Sequence, residues 1–427
     1  MGVRRSIGWK AGETGIHPLE RRTMFNTLNA IGAAILVAGT CSLTASSLHG
    51  APLGSTNEVM PLEAVELVTI PRLDFQAIDA EDHQRAAEGA PYRYAIPHAM
   101  TISPASDGTW ERIDDNGLLW RLRVASRDAT SINLAFETFR LPETALLSIY
   151  TAEGSTAIRP FTSDDNNDDD QLWTPPLPGD DIVIEIQVDA EDREFIERNI
   201  ELTSINVGYR GFYDVASPPR SGSCNYDVWC SEADEWRDEI PCVAAISTGG
   251  SLFCSGFMVN NLSHDGTPFF MTANHCGVSS GNASSLVCFW NYQDGPEAPL
   301  DCPGNSSETG TLDQFSTGST YRAGGSASDF TLVELNTAPN EAWEVGYCGW
   351  DANDVATEWS VAIHHPNVDA KRWSIDYQPS EIYGYNQPGS THLRVIDWDL
   401  GTTEPGSSGS PLFNQNHHVV GQLHGGY

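Results

Sequence analysis

The sequence predicts an all-β protein with more than one domain. From Cys224 onward, short runs of β-branched and aromatic residues are separated by turns rich in Gly, Asn, Asp and Ser, and helical periodicity is rare. About 200 residues of this pattern fit two small barrels better than one. The total length of 427 residues also exceeds the ~250–300 residues at which a single core stops growing, so at least two domains are expected.

The first element, residues 1–47, has the layout of a secretory signal. Arginines precede the apolar run Leu28–Ala38, and small residues follow it, so cleavage after Ser47 is predicted. The run is too short to span the ~30 Å of a bilayer core, and no membrane association is expected once the signal is removed. Three alternatives remain open at this end: a lipoprotein signal at Cys41, a twin-arginine signal at Arg21-Arg22, or a start at Met24.

Residues 48–220 form a Cys-free, acidic, β-rich region that reads as a separate domain. Its predicted strands are apolar or alternating runs bounded by turn residues, namely Leu118–Val124, Ile132–Phe139, Leu146–Thr151 and Asp181–Val188. Ser163–Asp170 is predicted to be a solvated loop, because it lacks the central Gly and terminal Glu of a calcium loop. The linker Pro218–Ser223 contains Arg220, after which we expect proteolytic activation.

Residues 221–427 carry the strands of the predicted barrels. These are short apolar runs between turn residues, namely Val243–Ser247, Leu252–Asn260, Phe269–Ala273, Ser285–Tyr292, Phe330–Leu335, Ser360–His364, Leu393–Trp398, Ser410–Phe413 and His418–Leu423. Glu232–Asp238 is predicted to form one or two helical turns.

The charge balance excludes some classes of partner. There are 23 Lys plus Arg against 58 Asp plus Glu, giving a formal net charge of −35. Nucleic acids and anionic membranes require a basic surface, so neither is expected to bind. After Arg220 the chain has 25 acidic and 5 basic residues, and Lys371 is the one lysine among them.

Eight of the nine cysteines follow residue 220, and in an exported chain they predict disulfides. No Cys-x-x-Cys pair is present, and the spacings do not resemble a zinc site, so no metal or other cofactor is expected. Cys254 and Cys276 bracket His275, and their pairing would hold the loop that carries this histidine to the preceding strand. The adjacent histidine pairs His364-His365 and His417-His418 are expected to be structural, because neighbouring strand residues point to opposite faces.

Three motifs indicate nucleophilic catalysis. They are Thr272–Cys276 after an apolar strand, Ser328–Leu332 with an acid at the head of a strand, and Pro405–Pro411 with a serine between glycines. Amide hydrolysis requires a nucleophile, a base that takes its proton, and a group that holds the tautomer of the base. Ser408, His275 and Asp329 supply these groups in the chain order His, Asp, Ser, which is the chymotrypsin order.

The glycines around the serine predict an oxyanion hole. Turning backbone N–H groups toward one point favours residues without a Cβ, and the N–H groups of Gly406 and Ser408 are the candidates.

From about Ser221 to Tyr427 the sequence resembles the lysyl endopeptidase family, secreted bacterial serine proteases of the chymotrypsin clan. Distinctive stretches carry the resemblance, namely Ser221–Asn225, Phe289–Gln293, Ser328–Phe330, Ile363–Asn367, Lys371-Arg372, Thr403–Pro411 and Gly421–Gly426. The acidic region before them resembles the propeptide of this family, notably at Leu172–Pro176.

The resemblance implies a chymotrypsin-like double six-stranded β-barrel, with the catalytic triad in the cleft between the barrels and a β-rich prodomain before it. It implies a substrate-binding edge at Leu423–Gly426, where a peptide pairs as an added strand. Within that edge His424 matches a pocket histidine, and Gly425 and Gly426 line the substrate. Tyr385 or Tyr383 would stand near the position of the family's pocket tryptophan.

The family pattern also implies that Cys230 pairs with Cys302. Of the remaining cysteines, Cys242 and Cys288 are expected to pair as neighbours on adjacent strands.

Two further features carry expectations. Ser407 stands, as in the lysyl endopeptidases, where trypsin-like zymogens have an Asp that binds the new N-terminus, so ordering of the oxyanion hole by such an ion pair is not expected. The prodomain is then expected to act as a folding aid and inhibitor. The chain ends soon after Gly426, where the family continues, so we expect an unpaired strand edge and no partner for Cys224.

The leading hypothesis is a secreted serine endopeptidase that cuts peptides and proteins after lysine or another basic residue and resides outside the cell or in the periplasm. Two alternatives remain open: a serine protease with a preference for Arg or acidic residues, and a catalytically inactive binding protein with a protease fold.

Overall fold

Strands dominate the fold of this chain. A computed structural model describes residues 2–4, 52–55, 59–212, 221–298, 300–304, 310–353, 355–385 and 389–426. The predicted signal segment, apart from residues 2–4, and the predicted activation site at Arg220 lie outside these residues. No helix within the described ranges is both long and apolar enough to cross a bilayer.

The strands and α-helices of the described residues are, in chain order, β1 (Gly2–Arg4), β2 (Leu67–Ile70), α1 (Phe75–Ala87), β3 (Tyr92–Arg93), β4 (Ala95–Ile102), β5 (Thr109–Arg112), β6 (Gly117–Ser126), β7 (Ser131–Phe139), β8 (Leu146–Thr151), β9 (Leu172–Trp173), β10 (Leu177–Pro178), β11 (Asp181–Asp189), α2 (Arg193–Asn199), β12 (Ile200–Gly208), β13 (Tyr226–Asp227), β14 (Val243–Thr248), β15 (Leu252–Met258), β16 (Phe269–Ala273), β17 (Val287–Phe289), β18 (Phe315–Thr317), β19 (Ser319–Gly325), β20 (Phe330–Leu335), β21 (Ser360–His364), β22 (Arg372–Asp376), β23 (Glu381–Tyr383), β24 (His392–Arg394), β25 (Pro411–Asn414) and β26 (Val419–Gly425).

The region before residue 213 contains two five-stranded sheets. One has the order β2-β6-β11-β8 with β5 beside β6, and the other has the order β10-β7-β12-β4 with β9 beside β7. Apolar side chains from both sheets, such as Leu122 and Ile184 on one and Leu134 and Ile205 on the other, are fully buried in one cluster. This burial explains the apolar runs in the sequence and makes the region a β-sandwich.

The first sheet of the region after residue 220 closes into a barrel. Its order is β18-β17-β14-β15-β16-β20-β19. The two end strands, β18 and β19, are one chain segment interrupted at Gly318, which has a left-handed φ of 82°. Because these end strands are continuous, the sheet has six strand paths and no open end, as the family resemblance implies.

The second sheet has the order β13-β22-β21-β25-β26-β1-β24-β23. The last strand β26 pairs with β25 on one side and, on the other, with β1 of the predicted signal segment. The expectation of an unpaired edge therefore stays a prediction for the chain without residues 1–47.

The all-β class is confirmed, and each predicted strand overlaps an observed one. The overlap is partial for Ser285–Tyr292, where the strand is Val287–Phe289, and for Leu393–Trp398, where the strand is His392–Arg394. The predicted helical turns at Glu232–Asp238 form a 3₁₀ helix at Ser231–Trp236. Helix α1 has no counterpart in the sequence predictions.

The β-sandwich and the first barrel share a core. On β14 the side chain of Ala245 lies in the cluster of the sandwich, whereas Ala244 and Ile246 face the interior of the barrel. Phe253 on β15 and Phe289 on β17 alternate with barrel-interior residues in the same way. Both faces of these strands are therefore apolar, because the sandwich covers the outer face of the barrel.

A buried polar chain crosses the same interface. Asn206 donates from Nδ2 to Asn133 Oδ1 (2.8 Å), and Asn133 donates to the hydroxyl of Tyr94 (3.1 Å). That hydroxyl lies 2.8 Å from Ser247 Oγ on β14 of the barrel, and Asn133 also donates to the carbonyl of Gly250 (3.0 Å). The polar groups in this series are hydrogen-bonded to one another, so no desolvation cost is left uncompensated there. The series of hydrogen bonds therefore fixes the orientation of the sandwich relative to the barrel.

Candidate active site

The structure brings together the three residues that the sequence motifs single out. His275 Nδ1 lies 2.8 Å from Asp329 Oδ2, and His275 Nε2 lies 2.8 Å from Ser408 Oγ. With a proton on Nδ1, the ring donates to the carboxylate and accepts from the serine hydroxyl. This is the arrangement in which a histidine removes the proton of a serine.

Local structure holds the histidine and the carboxylate in register. His275 lies in a 3₁₀ turn, Asn274–Cys276, directly after β16. Its backbone N–H donates to Asp329 Oδ1 (2.9 Å), so both carboxylate oxygens bind the same residue. Asp329 has a left-handed φ of 57° at the head of β20, and its carbonyl accepts from Asn274 N (2.8 Å) and Gln422 Nε2 (2.7 Å).

Ser408 sits on a turn that requires glycine on both sides. Gly406 and Gly409 have φ values of 92° and 83°, which side chains disfavour. A Cβ on Gly409 would collide with the Ser255 carbonyl and the Thr272 hydroxyl. The Ser408 carbonyl accepts from Ser255 N (2.8 Å), so β15 of the first barrel supports the nucleophile turn.

The predicted oxyanion donors make no hydrogen bond in the structure. Among the residues that the structure describes, neither the N–H of Gly406 nor that of Ser408 has an acceptor in hydrogen-bond geometry. Both residues and His275 line a cavity of about 280 Å³. The geometry leaves the two donors available, and their role as an oxyanion hole stays a prediction.

A buried histidine supports the nucleophile turn from behind, and the sequence motifs do not reveal its role. His364 Nδ1 lies 2.8 Å from Ser407 Oγ, and its Nε2 lies 3.2 Å from Ser374 Oγ. Ser374 in turn donates to the carbonyl of Thr402 (2.8 Å). Burial and the nearby charge of Arg372 lower the pKa of His364 to about 3, so the ring is neutral at physiological pH.

This hydrogen-bonded network begins at Ser407, where trypsin-like zymogens have an Asp. Neutral partners therefore hold the residue before the nucleophile, and the expectation that no N-terminal ion pair does so stays a prediction. The sequence signal that could have suggested this network is the histidine pair directly after the apolar run Val361–Ile363.

The segment that follows Arg220 docks beside the nucleophile turn. Gly222 N donates to Glu404 Oε1 (2.8 Å), and Asn367 Nδ2 donates to Glu404 Oε2 (2.6 Å). The carbonyl of the same glutamate accepts from Ser407 N (3.0 Å). Ser221 is buried and donates from Oγ to Asp369 Oδ2 (2.5 Å).

The predicted substrate-side residues lie next to the triad. The His424 ring is 5.7 Å from the His275 ring, and its Nε2 is 3.6 Å from Asp329 Oδ2. Tyr385 packs on His424 with ring centroids 3.8 Å apart. The alternative residue, Tyr383, instead lies under the guanidinium of Arg394.

The glycines of the predicted edge end the last strand. Gly425 is the final residue of β26, and Gly426 follows it exposed. On the side of β25, pairing stops at Leu423, which accepts from Gly409 N and donates to Ser410 O.

Two disulfides are present among the described residues. Cys254 and Cys276 are bonded, with Cα atoms 6.1 Å apart, and this bond ties β15 to the turn that carries His275. Cys230 and Cys302 are bonded with Cα atoms 5.9 Å apart, as the family pattern implies.

The expected pairing of Cys242 with Cys288 is wrong. Both are buried free thiols, and Cys242 lies against Cys348 in the core between the barrels, whereas Cys288 faces the interior of the first barrel. Cys288 alternates along β17 with residues that face the sandwich, so its strand position directs it away from Cys242. Burial raises the pKa of the Cys288 thiol.

Three clusters within the described residues contain side chains of the types that bind metals. Two of them contain disulfide-bonded cysteines, whose sulfur atoms are not free to ligate. The third consists of His275, Asp329 and His424, which already contact one another. The sequence expectation of no metal or cofactor stays a prediction.

Together, the barrel fold and the serine–histidine site define the class of the protein, a chymotrypsin-fold serine endopeptidase. The family model described as lysyl endopeptidase, C-terminal domain, matches residues 219–427, and the lysyl endopeptidase N-terminal domain matches residues 68–194. The chain belongs to the lysyl endopeptidase family.

One curated relative and two solved structures are similar to parts of this chain. A lysyl endopeptidase from Pseudomonas aeruginosa is 27% identical over 354 residues, which cover 76% of this chain and 73% of the relative. Among solved structures, the protease Anisep from Arthrobacter nicotinovorans is 18% identical with a TM-score of 0.30, covering 46% of this chain and 84% of that one. A Glu endopeptidase is 18% identical with a TM-score of 0.28, covering 44% and 80%.

Proposed function

We propose that this chain is a secreted endopeptidase that cleaves after lysine, with His275 as base, Asp329 as the group that orients it, and Ser408 as nucleophile. The observation that carries the proposal is the His275 ring, whose two nitrogens lie 2.8 Å from Asp329 Oδ2 and 2.8 Å from Ser408 Oγ. Secretion is supported by the signal-like segment and by disulfides, which persist in oxidising compartments.

The reaction proceeds in two halves. Ser408 Oγ attacks the carbonyl carbon while His275 Nε2 takes its proton, and the C–N bond then breaks as Nε2 protonates the leaving amine. Water hydrolyses the acyl ester by the same route, which releases the acid and restores the serine hydroxyl. Asp329 stabilises the protonated ring, and the N–H groups of Gly406 and Ser408 stabilise the negative oxygen.

The preference for lysine rests on the family and on the distribution of basic residues. Lys371, the one lysine after Arg220, is fully buried, and so is Arg372. The Lys371 ammonium donates to the Ile240 carbonyl (2.8 Å), and burial lowers its pKa to about 7. A folded protease of this kind offers its neighbours no accessible lysyl bond after residue 220.

The substrate peptide is proposed to pair with the edge that ends in Gly425 and Gly426, beside the rings of Tyr385 and His424. Strand β1 of the proposed signal segment pairs with this edge in the structure, so removal of the signal would free it for a substrate. Substrates are peptides and proteins, and the working site is outside the cell or in the periplasm.

We further propose the division into a signal (1–47), a prodomain (48–220) and a protease domain (221–427), with activation after Arg220. The prodomain acts as a folding aid and inhibitor. The apolar outer face of the first barrel, which the prodomain covers, supports this assignment.

The decisive experiment is labelling of the full chain with an organophosphonate, followed by peptide mapping. Ser408 is expected to carry the label, and Ser408→Ala should lose the label and reduce kcat by about 10³-fold or more while the circular dichroism spectrum stays unchanged. Ser319→Ala is the matched control and should still be labelled, because Ser319 is buried in β19 and donates to the Ala283 carbonyl, away from the nucleophile turn.

A panel of fluorogenic peptides that differ only in the residue before the scissile bond then tests specificity. Faster cleavage after Arg or Glu than after Lys would contradict the lysine assignment. A folded chain that neither labels nor hydrolyses any peptide would instead indicate an inactive binding protein.

A further inference from the structure

A short prodomain strand lies on the sheet edge that leads to the nucleophile. Strand β3 pairs antiparallel with β15, with Tyr92 opposite Phe253 and Arg93 opposite Leu252. Tyr94 N donates to Ser251 O (2.9 Å), which continues the ladder by one residue. The prodomain thus adds a strand to the first barrel next to the candidate active site.

Without β3, this stretch of β15 is open on one side. Strand β14 covers the opposite side along its whole length, from Leu252 to Phe257. On the side of β3, strand β16 pairs only with Gly256–Met258. The backbone groups of Phe253 are therefore available to any extended peptide, in the mode of strand addition.

The hydrogen-bond phase fixes which groups pair. In an antiparallel ladder, hydrogen-bonded pairs alternate with non-bonded pairs. Because Tyr94 and Ser251 are a bonded pair, Tyr92 and Phe253 form the next bonded pair. The N–H of Tyr92 is then the donor to the carbonyl of Phe253.

The prodomain strand also runs in the direction of a substrate. Strand β15 leads from Leu252 toward Ser255, whose N–H donates to the carbonyl of Ser408 (2.8 Å). Strand β3 runs the opposite way, so its residue numbers increase away from the nucleophile. Consider a substrate with its scissile bond at Ser408 and its following residues along this edge. Those residues would run in the same direction as β3, away from the nucleophile.

The first residue of β3 and the two residues before it line the same cavity as the reacting groups. Ala90, Pro91 and Tyr92 line the cavity of about 280 Å³ that His275 and Ser408 also line. The start of β3 therefore lies where the substrate segment after the scissile bond would extend away from the nucleophile.

An ionic cluster holds the strand to the prodomain and binds the guanidinium of its basic residue, Arg93, which also lines the cavity. Arg93 binds Asp82 Oδ1 of α1 (2.8 Å) and Glu81 Oε1 (3.1 Å), and its side chain is only 11% exposed. Tyr209 donates to Asp82 Oδ2 (2.5 Å), and the Arg210 guanidinium lies over the Tyr92 ring (4.7 Å to the centroid). Arg93 is thus held as a structural residue rather than offered for cleavage.

We propose that Tyr92 and Arg93 form the inhibitory strand of the prodomain, which occupies the Leu252–Phe253 edge in place of the peptide segment that follows the scissile bond. This inference rests on the proposed endopeptidase function. It predicts competition with substrates that extend beyond the scissile bond and much weaker competition with substrates that end there.

The test uses the full chain and two substrates with identical residues before the cleaved bond. One ends in p-nitroanilide and the other continues for four residues. Tyr92→Pro removes the N–H that pairs with Phe253, and Tyr92→Phe is the matched control that keeps it. We expect Tyr92→Pro to lower KM for the extended peptide by about 10-fold or more, with a change below about 3-fold for the anilide and none for Tyr92→Phe.

Equal changes for both substrates, or no change for either, would overturn the proposal. A measurement that needs neither turnover nor this variant is hydrogen exchange in the Ser408→Ala full chain. Slow exchange of the Phe253 amide and its partner Tyr92 is expected, together with release of the Tyr92 amide when the tetrapeptide Ala-Tyr-Arg-Tyr amide is added in excess. Fast exchange of both amides in the unliganded chain would also refute the strand.

Failure of the proposed function has a different signature. Absence of organophosphonate labelling and of hydrolysis in every chain would reject the endopeptidase and the inhibitory role with it, whereas exchange protection would still report the pairing.

Discussion

At the scale of single residues, the positions of the candidate triad residues depend on groups that do not contact the substrate. Asp329 is held by the N–H of His275, and its backbone is held by Asn274 and Gln422 from two different barrels. His364 supports Ser407 in the same indirect way. The three reacting groups are therefore positioned by hydrogen bonds that span both barrels, which limits the rotamers available to them.

The buried His364 leads to a pH-dependent stability. Its pKa in the folded chain is about 3, below the ordinary value of 6.5, so between these values the unfolded chain binds a proton that the folded chain does not. Stability is full above about pH 6.5 and falls as the pH decreases, by about 1.4 kcal/mol per pH unit for this group. Between pH 7 and pH 5 the parent chain should lose about 2 kcal/mol of unfolding free energy through His364, and the His364→Gln variant should not show this part of the loss.

Urea unfolding at the two pH values measures this difference. Substitution of the exposed His264 by Gln is the control and should leave the pH dependence as in the parent. The same slope in the parent and in His364→Gln would show that His364 is not buried in its neutral form.

At the scale of elements, the two disulfides are expected to have different effects on catalysis. The Cys254–Cys276 bond connects β15 to the turn of His275, whereas the Cys230–Cys302 bond joins the start of the protease region to a later loop. Replacing either pair with alanines should cost about 2–4 kcal/mol of unfolding free energy. Only the first replacement should also lower kcat/KM by about 10-fold, because it frees the turn of the base.

Steady-state kinetics at a temperature where both variants remain folded provides the measurement. Equal kcat/KM losses in the two variants would mean that the first disulfide has no special role in placing His275.

Element-scale patterns also explain what sequence reasoning found and missed. Strands β6, β7 and β11 were predicted because they bury continuous apolar runs. Helix α1 was missed because only Ile78 in it is buried, so it has no apolar stripe to detect. The two-residue strand β3 was missed because a pair of side chains contains no periodicity, and its partner is more than 150 positions away along the chain.

At the scale of the whole molecule, the N-terminal β-sandwich and the first barrel are one packing unit. Phe212, which follows the last strand of the sandwich, contacts the rings of Phe253, Phe289 and Tyr292 of the barrel, with centroids 5.4–5.7 Å apart. Removing residues 48–220, the proposed prodomain, would expose these rings to water at a cost of roughly 25 cal/mol per Å² of apolar surface.

We therefore expect residues 221–427 alone to refold to active enzyme at least about 10-fold more slowly, or in correspondingly lower yield, than the full chain. Refolding from urea with the disulfides intact, followed by an activity assay over time, tests this. Supplying residues 48–220 in trans should restore the rate. Equal refolding of the protease region alone would contradict the role of the prodomain as a folding aid.

The net charge of −35 gives a second expectation at this scale. A negative surface attracts basic substrates, and added salt screens this attraction over a Debye length of about 10 Å at 0.1 M. For a peptide with several lysines, kcat/KM should fall several-fold between 20 mM and 500 mM NaCl while kcat stays constant. A peptide with one lysine and balancing acidic residues is the control, and an equal fall for both would argue against steering.

The sequence by itself determined the all-β class, the family and the identity of the candidate triad. The motifs around His275, Asp329 and Ser408 can be recognised in the sequence because each residue needs particular sequence neighbours, such as Gly409, for its local backbone conformation. Only the tertiary structure decided which distant groups meet: His364 with Ser407, Cys242 with Cys348 rather than Cys288, and β3 with β15. These contacts arise from strand register and from the face to which each side chain points, and both are set by the packing of whole sheets.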